Sequence, residues 1–222
     1  MLPSPSVRIV ALGDRDTQYL THREVDAALA LLPDADWVAT DDPAARDLDG
    51  ADGVWLLPGT PYRDADAALH AVDHCANTDT RFLGTCGGFQ YACIGLARER
   101  TGLATTAHAE SEPDAPEPLI APLQCSLYGE IRTVTPVAGT RLAQICGTAP
   151  FVGYHYCGYG LSDDGARTLQ DAGVTIAATA PDAGVEAIEL PDHPFFVATA
   201  FQPQVGVGAS GRLPALLAAF AD

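Results

Sequence analysis

The chain has 222 residues, 47% of them hydrophobic, and a formal net charge of −17. That length suits one sizeable core, read as a single domain over residues 1–222, and the acidic balance argues against nucleic acid or an acidic membrane surface as partners. Its six cysteines include no C-x-x-C pair, so neither a disulfide framework nor a structural zinc site is expected.

No apolar run reaches the ~18 residues of a membrane span, and no basic flank opens a secretory signal, so a cytoplasmic location is the default expectation. Val7 to Leu12 predicts a strand that stops at Gly13-Asp14. Val25, Ala28, Leu29 and Leu32 then recur at helical spacing within a helix over Thr21 to Leu32. Asp36 to Thr40 and Gly53 to Leu57 predict two further strands, the second ended by Pro58-Gly59, followed by a helix over Asp64 to Ala76. Arg81 to Gly84 predicts a strand and Phe89 to Arg100 a helix. This alternation implies an α/β fold with a central, mostly parallel sheet flanked by helices.

Past the acidic, proline-rich Glu112 to Pro118 the pattern changes to a smaller antiparallel region. Leu119 to Val137 predicts strands with turns, and Asp163 to Ala172 a helix. Val174 to Ala178, Val185 to Leu190 and Phe195 to Phe201 predict strands, and Leu213 to Phe220 a closing helix.

Gly84-Thr85-Cys86-Gly87-Gly88 fits the G-x-nucleophile-x-G elbow, with a predicted strand before it and a helix after it. Glycines on both sides let strand and helix approach closely while the nucleophile takes a strained conformation. At a helix start the Cys86 sulfur meets unpaired N–H groups and the positive dipole end, which favour thiolate, and the Gly87 N–H is placed to donate to a developing oxyanion.

Phe82 to Gln90 (FLGTCGGFQ) resembles the FLGxCxGxQ segment of class I glutamine amidotransferases. His193 to Gln204 (HPFFVATAFQPQ) resembles the HPWFVxxQFHPE segment of the CTP synthase glutaminase domain. The resemblance runs over nearly the whole chain and implies the flavodoxin-like amidotransferase fold. It puts an oxyanion loop at Leu56 to Gly59, so that Gly59 joins Gly87 as a donor, and it makes Gln90 and Glu110 substrate contacts. Gly153 to Tyr159 stands where the family has an arginine- and histidine-rich segment, with Tyr154, Tyr156 and Gly158 in place of arginines. The family's triad His and Glu fall on Gln202 and Gln204, neutral amides that cannot act as general base. Loss of a bidentate guanidinium weakens the holding of a substrate carboxylate.

A cysteine enzyme needs another proton carrier, and His108, His155 and Glu110 are the titratable candidates, His108 and Glu110 projecting together if that stretch is extended. Tyr154, Gln202 and Gln204 join Gln90 as expected substrate contacts. Cys75, Cys93, Cys125, Cys146 and Cys157 are read as buried thiols, His193 as structural, and His22, His70 and His74 as without a role. With no metal-ligand spacing, no G-x-G-x-x-G and no P-loop, neither metal nor cofactor is expected.

The leading expectation is a cysteine-dependent hydrolase acting on a small amide-, carbonyl- or nitrile-like substrate. Two others stand beside it: an amidotransferase subunit that feeds ammonia to a separate synthase partner, and an inactive module that binds a metabolite or partner. A homodimer stays open.

Overall fold

Successive side chains of a strand point to opposite faces, and a strand covered on both sides therefore reads as an unbroken apolar run. Gly53–Leu56 shows this: Val54 and Leu56 join the core cluster on one side of the sheet, and Trp55 joins the cluster on the other. The computed structural model describes residues 7–32, 34–102 and 106–222. In chain order its strands are β1 (Ile9–Leu12), β2 (Ala35–Val38), β3 (Gly53–Leu56), β4 (Arg81–Thr85), β5 (Ile120–Pro122), β6 (Glu130–Pro136), β7 (Phe151–His155), β8 (Tyr159–Leu161), β9 (Thr175–Ala180), β10 (Gly184–Glu189) and β11 (Phe196–Thr199). The helices are α1 (Leu20–Leu29), α2 (Ala65–Ala76), α3 (Gly87–Thr101), α4 (Arg141–Cys146), α5 (Asp163–Asp171), α6 (Val207–Ser210) and α7 (Ala215–Ala221).

The main sheet has nine strands in the order β2-β1-β3-β4-β11-β10-β9-β6-β7. The first five are mutually parallel and every later pairing is antiparallel. It is a mixed sheet with a parallel half and an antiparallel half, flanked by helices. β5 and β8 form a separate antiparallel pair. α2 and α3 cover one face, with Ala71, Val72, Phe89 and Leu96 buried there. α1 and α7 cover the other through Val25, Leu217 and Phe220.

Local chemistry explains the helix starts. Asp64 caps α2 by accepting from the Ala67 N–H at 3.0 Å, and Ser162 caps α5 from Gly165 at 3.1 Å, with Asp163 and Asp164 adding charge that suits the positive end. The sequence reading passed over α4, only six residues long. Thr140 caps it, and the buried Glu189 carboxylate accepts from the Arg141 and Leu142 N–H groups at 2.9 and 3.2 Å. A partner so distant in sequence leaves no local signal. The aromatic, glycine-rich stretch 153–160, for which no element is predicted, contains the end of β7, a turn and the start of β8. Cys75, Cys93 and Cys157 are buried as expected, but Cys125 is exposed on the loop between β5 and β6, and Cys146 is half-buried.

Candidate functional site

The site lies beyond the carboxyl ends of the parallel strands, where open α/β sheets place their ligands. Thr85 of β4 is in register with Thr199 of β11, and the Cys86 N–H donates to the Thr199 carbonyl at 2.8 Å. That bond carries the ladder one residue past the strand and fixes Cys86 at φ 53°, ψ −104°, a conformation side chains rarely adopt. α3 starts at the next residue, so the Gly87 N–H is among those with no partner inside the helix. A Cβ on Gly88 would stand 2.1 Å from the Leu56 carbonyl oxygen, and one on Gly87 would stand 3.0 Å from the Gly59 carbonyl oxygen. Both glycines are thus required by the approach of the β3 end to the elbow, and that approach brings Gly59 beside Gly87.

Cys86 opens on a pocket of about 250 Å³. Pro58 to Thr60, Gln90, Glu110 and Gln202 line it, together with Tyr156 to Tyr159 from the turn after β7. Tyr19, Thr21, His22 and Tyr128 complete the wall. Tyr156 packs edge-on against both Tyr19 and Tyr128, with ring centroids 5.8 and 5.1 Å apart. Among the described lining residues Glu110 is the only carboxylate, and there is no Lys or Arg. One Glu110 oxygen, Oε2, is buried without a hydrogen-bond partner.

The two histidines expected to serve as bases are elsewhere. The His108 Nδ1 accepts from the Glu110 N–H at 3.2 Å, which leaves the proton on Nε2 to donate to the Gln90 Oε1 at 3.0 Å. Gln90 in turn donates to the Tyr159 carbonyl at 2.9 Å. Burial lowers the His108 pKa to about 4, so the ring is neutral and stands behind Gln90. Residues 109 and 110 form a turn, which sends Glu110 to the pocket and keeps His108 off it.

His155 points into the core from β7. Its Nδ1 donates to the Gly153 carbonyl at 3.1 Å, and its Nε2 lies 2.8 Å from Glu186 Oε2, both side chains being wholly buried. Glu186 sits at an irregularity in the β9–β10 register, which turns its carboxylate inward. A base for Cys86 must reach the thiol, and both nitrogens of this ring are already committed.

Tyr154, one residue along β7, points the other way and lines a separate, largely apolar groove with Ile131, Phe151 and Val152. It does not line the Cys86 pocket. Gln202 borders both cavities. Its Oε1 accepts from the Gln204 Nε2 at 2.9 Å, and its own Nε2 has no partner. Gln204 is fully buried behind it, off the pocket wall.

Two residues gain places the sequence did not give them. His22, passed over on its helix, accepts from the Asp16 N–H at Nδ1 and donates from Nε2 to the Pro58 carbonyl at 3.0 Å, bracing the loop that carries Gly59. Burial lowers its pKa. Cys157 faces Cys86 within a small apolar cluster with Leu127. The Cys86 thiol also lies 3.7 Å from the Tyr156 carbonyl oxygen. Among the described residues no three His, Cys, Asp or Glu side chains are grouped to hold a metal ion, and no helix is long and apolar enough to cross a membrane.

The chain is 30% identical over 229 residues to CTP synthase of Methanopyrus kandleri, covering 89% of this chain and 41% of that protein. It is 32% identical to CTP synthase of Shouchella clausii, covering 90% and 42%. The glutaminase domain of Trypanosoma brucei CTP synthase, solved with bound acivicin, superposes with a TM-score of 0.82 over 97% of this chain and 94% of that one, at 22% identity. The chain is a class I glutamine amidotransferase-like domain, homologous to the glutaminase domain of CTP synthase. A glutamine amidotransferase from Thermotoga maritima shares the fold, with a TM-score of 0.60 over 99% of this chain and 91% of that one, at 15% identity. No family model matches. This amidotransferase-like chain spans about two fifths of the length of the curated relatives it matches.

Proposed function

We propose that the chain is a cysteine-dependent enzyme that attacks a small amide-, carbonyl- or nitrile-like carbon through Cys86 and is a poor glutaminase. The observation that carries this reading is Cys86 itself, strained at φ 53° on a helix start and opening on a pocket, with Gly87 and Gly59 close to one another beside it; in this reading their N–H groups are the oxyanion donors. A strained conformation at a pocket is retained where it serves chemistry. Gln202 and Gln204 stand where the resemblance puts the triad His and Glu, and their side chains are hydrogen-bonded to one another. A pocket with one carboxylate and no cation suits an uncharged or cationic substrate and repels the free carboxylate of glutamine. In this reading Glu110 holds the substrate's donor or cationic group, Gln90 is fixed beside it by His108, and Gln202 offers its free N–H.

Competing alkylation tests this. Chloroacetamide and chloroacetate carry the same leaving group and differ in charge. Cys86, identified by peptide mass mapping, should react with the amide at least ~10-fold faster than with the acid, relative to the ratio for free cysteine, about 1.4 kcal/mol of discrimination. Glutamate release from glutamine should not exceed that of Cys86→Ser. Cys86-dependent glutaminase turnover at ~1 s⁻¹ or faster, an ordinary enzymatic rate, would overturn the reading.

A further inference from the structure

The thiol of Cys86 faces a second thiol. Cys86 comes from the start of α3 and Cys157 from the turn after β7, yet both line the same pocket and pack in the same small apolar cluster. Cys75 and Cys93, by contrast, are buried among the core apolar side chains between α2 and α3, away from that pocket. Hydrogen bonding to Cys86, then burial, pushes the Cys157 thiol up.

The surroundings select among thiol reactions. Among the described residues no imidazole on the pocket has a free nitrogen, His22 being held by two backbone groups. A two-thiol oxidation needs no proton carrier beyond the thiols themselves. With no cation on its wall and Glu110 on it, the pocket disfavours an oxidant that carries carboxylates, and its volume admits a small one.

We infer that Cys86 and Cys157 form a two-thiol redox centre that reduces a small, uncharged hydroperoxide and is left as a Cys86–Cys157 disulfide. The Cys86 sulfur attacks the terminal peroxide oxygen. An S–O bond forms, the O–O bond breaks, and the alcohol (water, for hydrogen peroxide) departs with the proton that Cys86 gives up. Cys157 then attacks the sulfenic sulfur: the S–S bond forms, the S–O bond breaks, and hydroxide leaves as water with the Cys157 proton. The peroxide gains two electrons and the two thiols lose them. An external dithiol returns them by exchange through a mixed disulfide. Cys86 is the sulfur that attacks the peroxide because it stands at the open N–H groups of α3.

The test uses the full chain, fully reduced, with hydrogen peroxide as the oxidant and dithiothreitol as the reductant. One equivalent of peroxide should lower the intact mass by two hydrogens, and peptide mapping should find Cys86 joined to Cys157, at a rate at least ~10²-fold above free cysteine. In Cys157→Ser the reaction should stop at a sulfenic acid on Cys86, trapped by dimedone. Cys157→Ala serves should the serine variant fail to fold, and the cross-link in the unaltered chain needs no variant. Absence of the Cys86–Cys157 cross-link, or oxidation at the rate of free cysteine, overturns the inference. Chloroacetamide labelling of Cys86 in the same samples separates the two readings: if labelling stays fast while no cross-link forms, the redox centre fails and the carbon-attacking nucleophile stands.

Discussion

Gln204→Glu places a carboxyl where the buried amide now donates to Gln202 Oε1 at 2.9 Å. An ionised carboxylate cannot donate to that oxygen and has no cation beside it; even with the Gln202 amide turned to offer its free Nε2, burial disfavours the charge and holds the carboxyl protonated. Its folded pKa is thereby raised above the ~4.3 of an unfolded Glu. A raised acid contributes fully below the unfolded value and costs stability above it, at about 1.4 kcal/mol per pH unit. Relative to the unaltered chain, the variant should lose about 1 kcal/mol at pH 5 and about 3.7 kcal/mol at pH 7 if the folded pKa exceeds 7. The latter is a drop of about 7–15 °C in midpoint for a chain of this size. Adding Gln202→His gives the carboxyl an imidazole partner, as Glu186 has in His155. The double variant should recover at least ~2 kcal/mol at pH 7 in a double-mutant cycle. Urea unfolding of all four proteins at both pH values measures this. A pH-independent cost, or energies additive within ~0.5 kcal/mol, would refute the buried-pair geometry.

The His108 ring binds no proton in the folded chain until about pH 4, whereas the unfolded ring takes one at 6.5. Its contribution is therefore complete above pH 6.5 and is lost as the pH falls towards 4, by at most about 3.4 kcal/mol. Unfolding of His108→Gln across this range should lack that share of the slope, and an unchanged slope would show the ring to be protonated in the fold. His155→Ala strands the wholly buried Glu186 carboxylate and should cost about 3–5 kcal/mol. Measured under conditions where the variant is folded, Cys86 alkylation should stay near the unaltered rate. A ~10²-fold fall would instead mark His155 as the base.

The elbow and the strand–helix alternation were legible because each is written in adjacent residues: Gly84 to Gly88 states its own backbone demand, and Val54 to Leu56 its double burial. That neither histidine meets the thiol was not legible. His108 and Glu110 diverge at a turn that the spacing alone did not announce, and His155 is drawn inward by Glu186 from another strand. His22 and Cys157 gained their places through contacts between distant segments, the loop after β3 in one case and the start of α3 in the other.

The sheet order also sets when the elbow at Cys86 can form. β11, nearly the last element in the chain, lies between β4 and β10, and it supplies the carbonyl that holds the Cys86 N–H. A ribosome releasing the chain from its N-terminus has long since extruded β4 and α3 before that strand emerges. Pairing across so large a separation is slow, because loop closure precedes its reward. Until β11 inserts, the Cys86 N–H has no Thr199 carbonyl to hold it, and a nascent or truncated chain lacks the strained elbow.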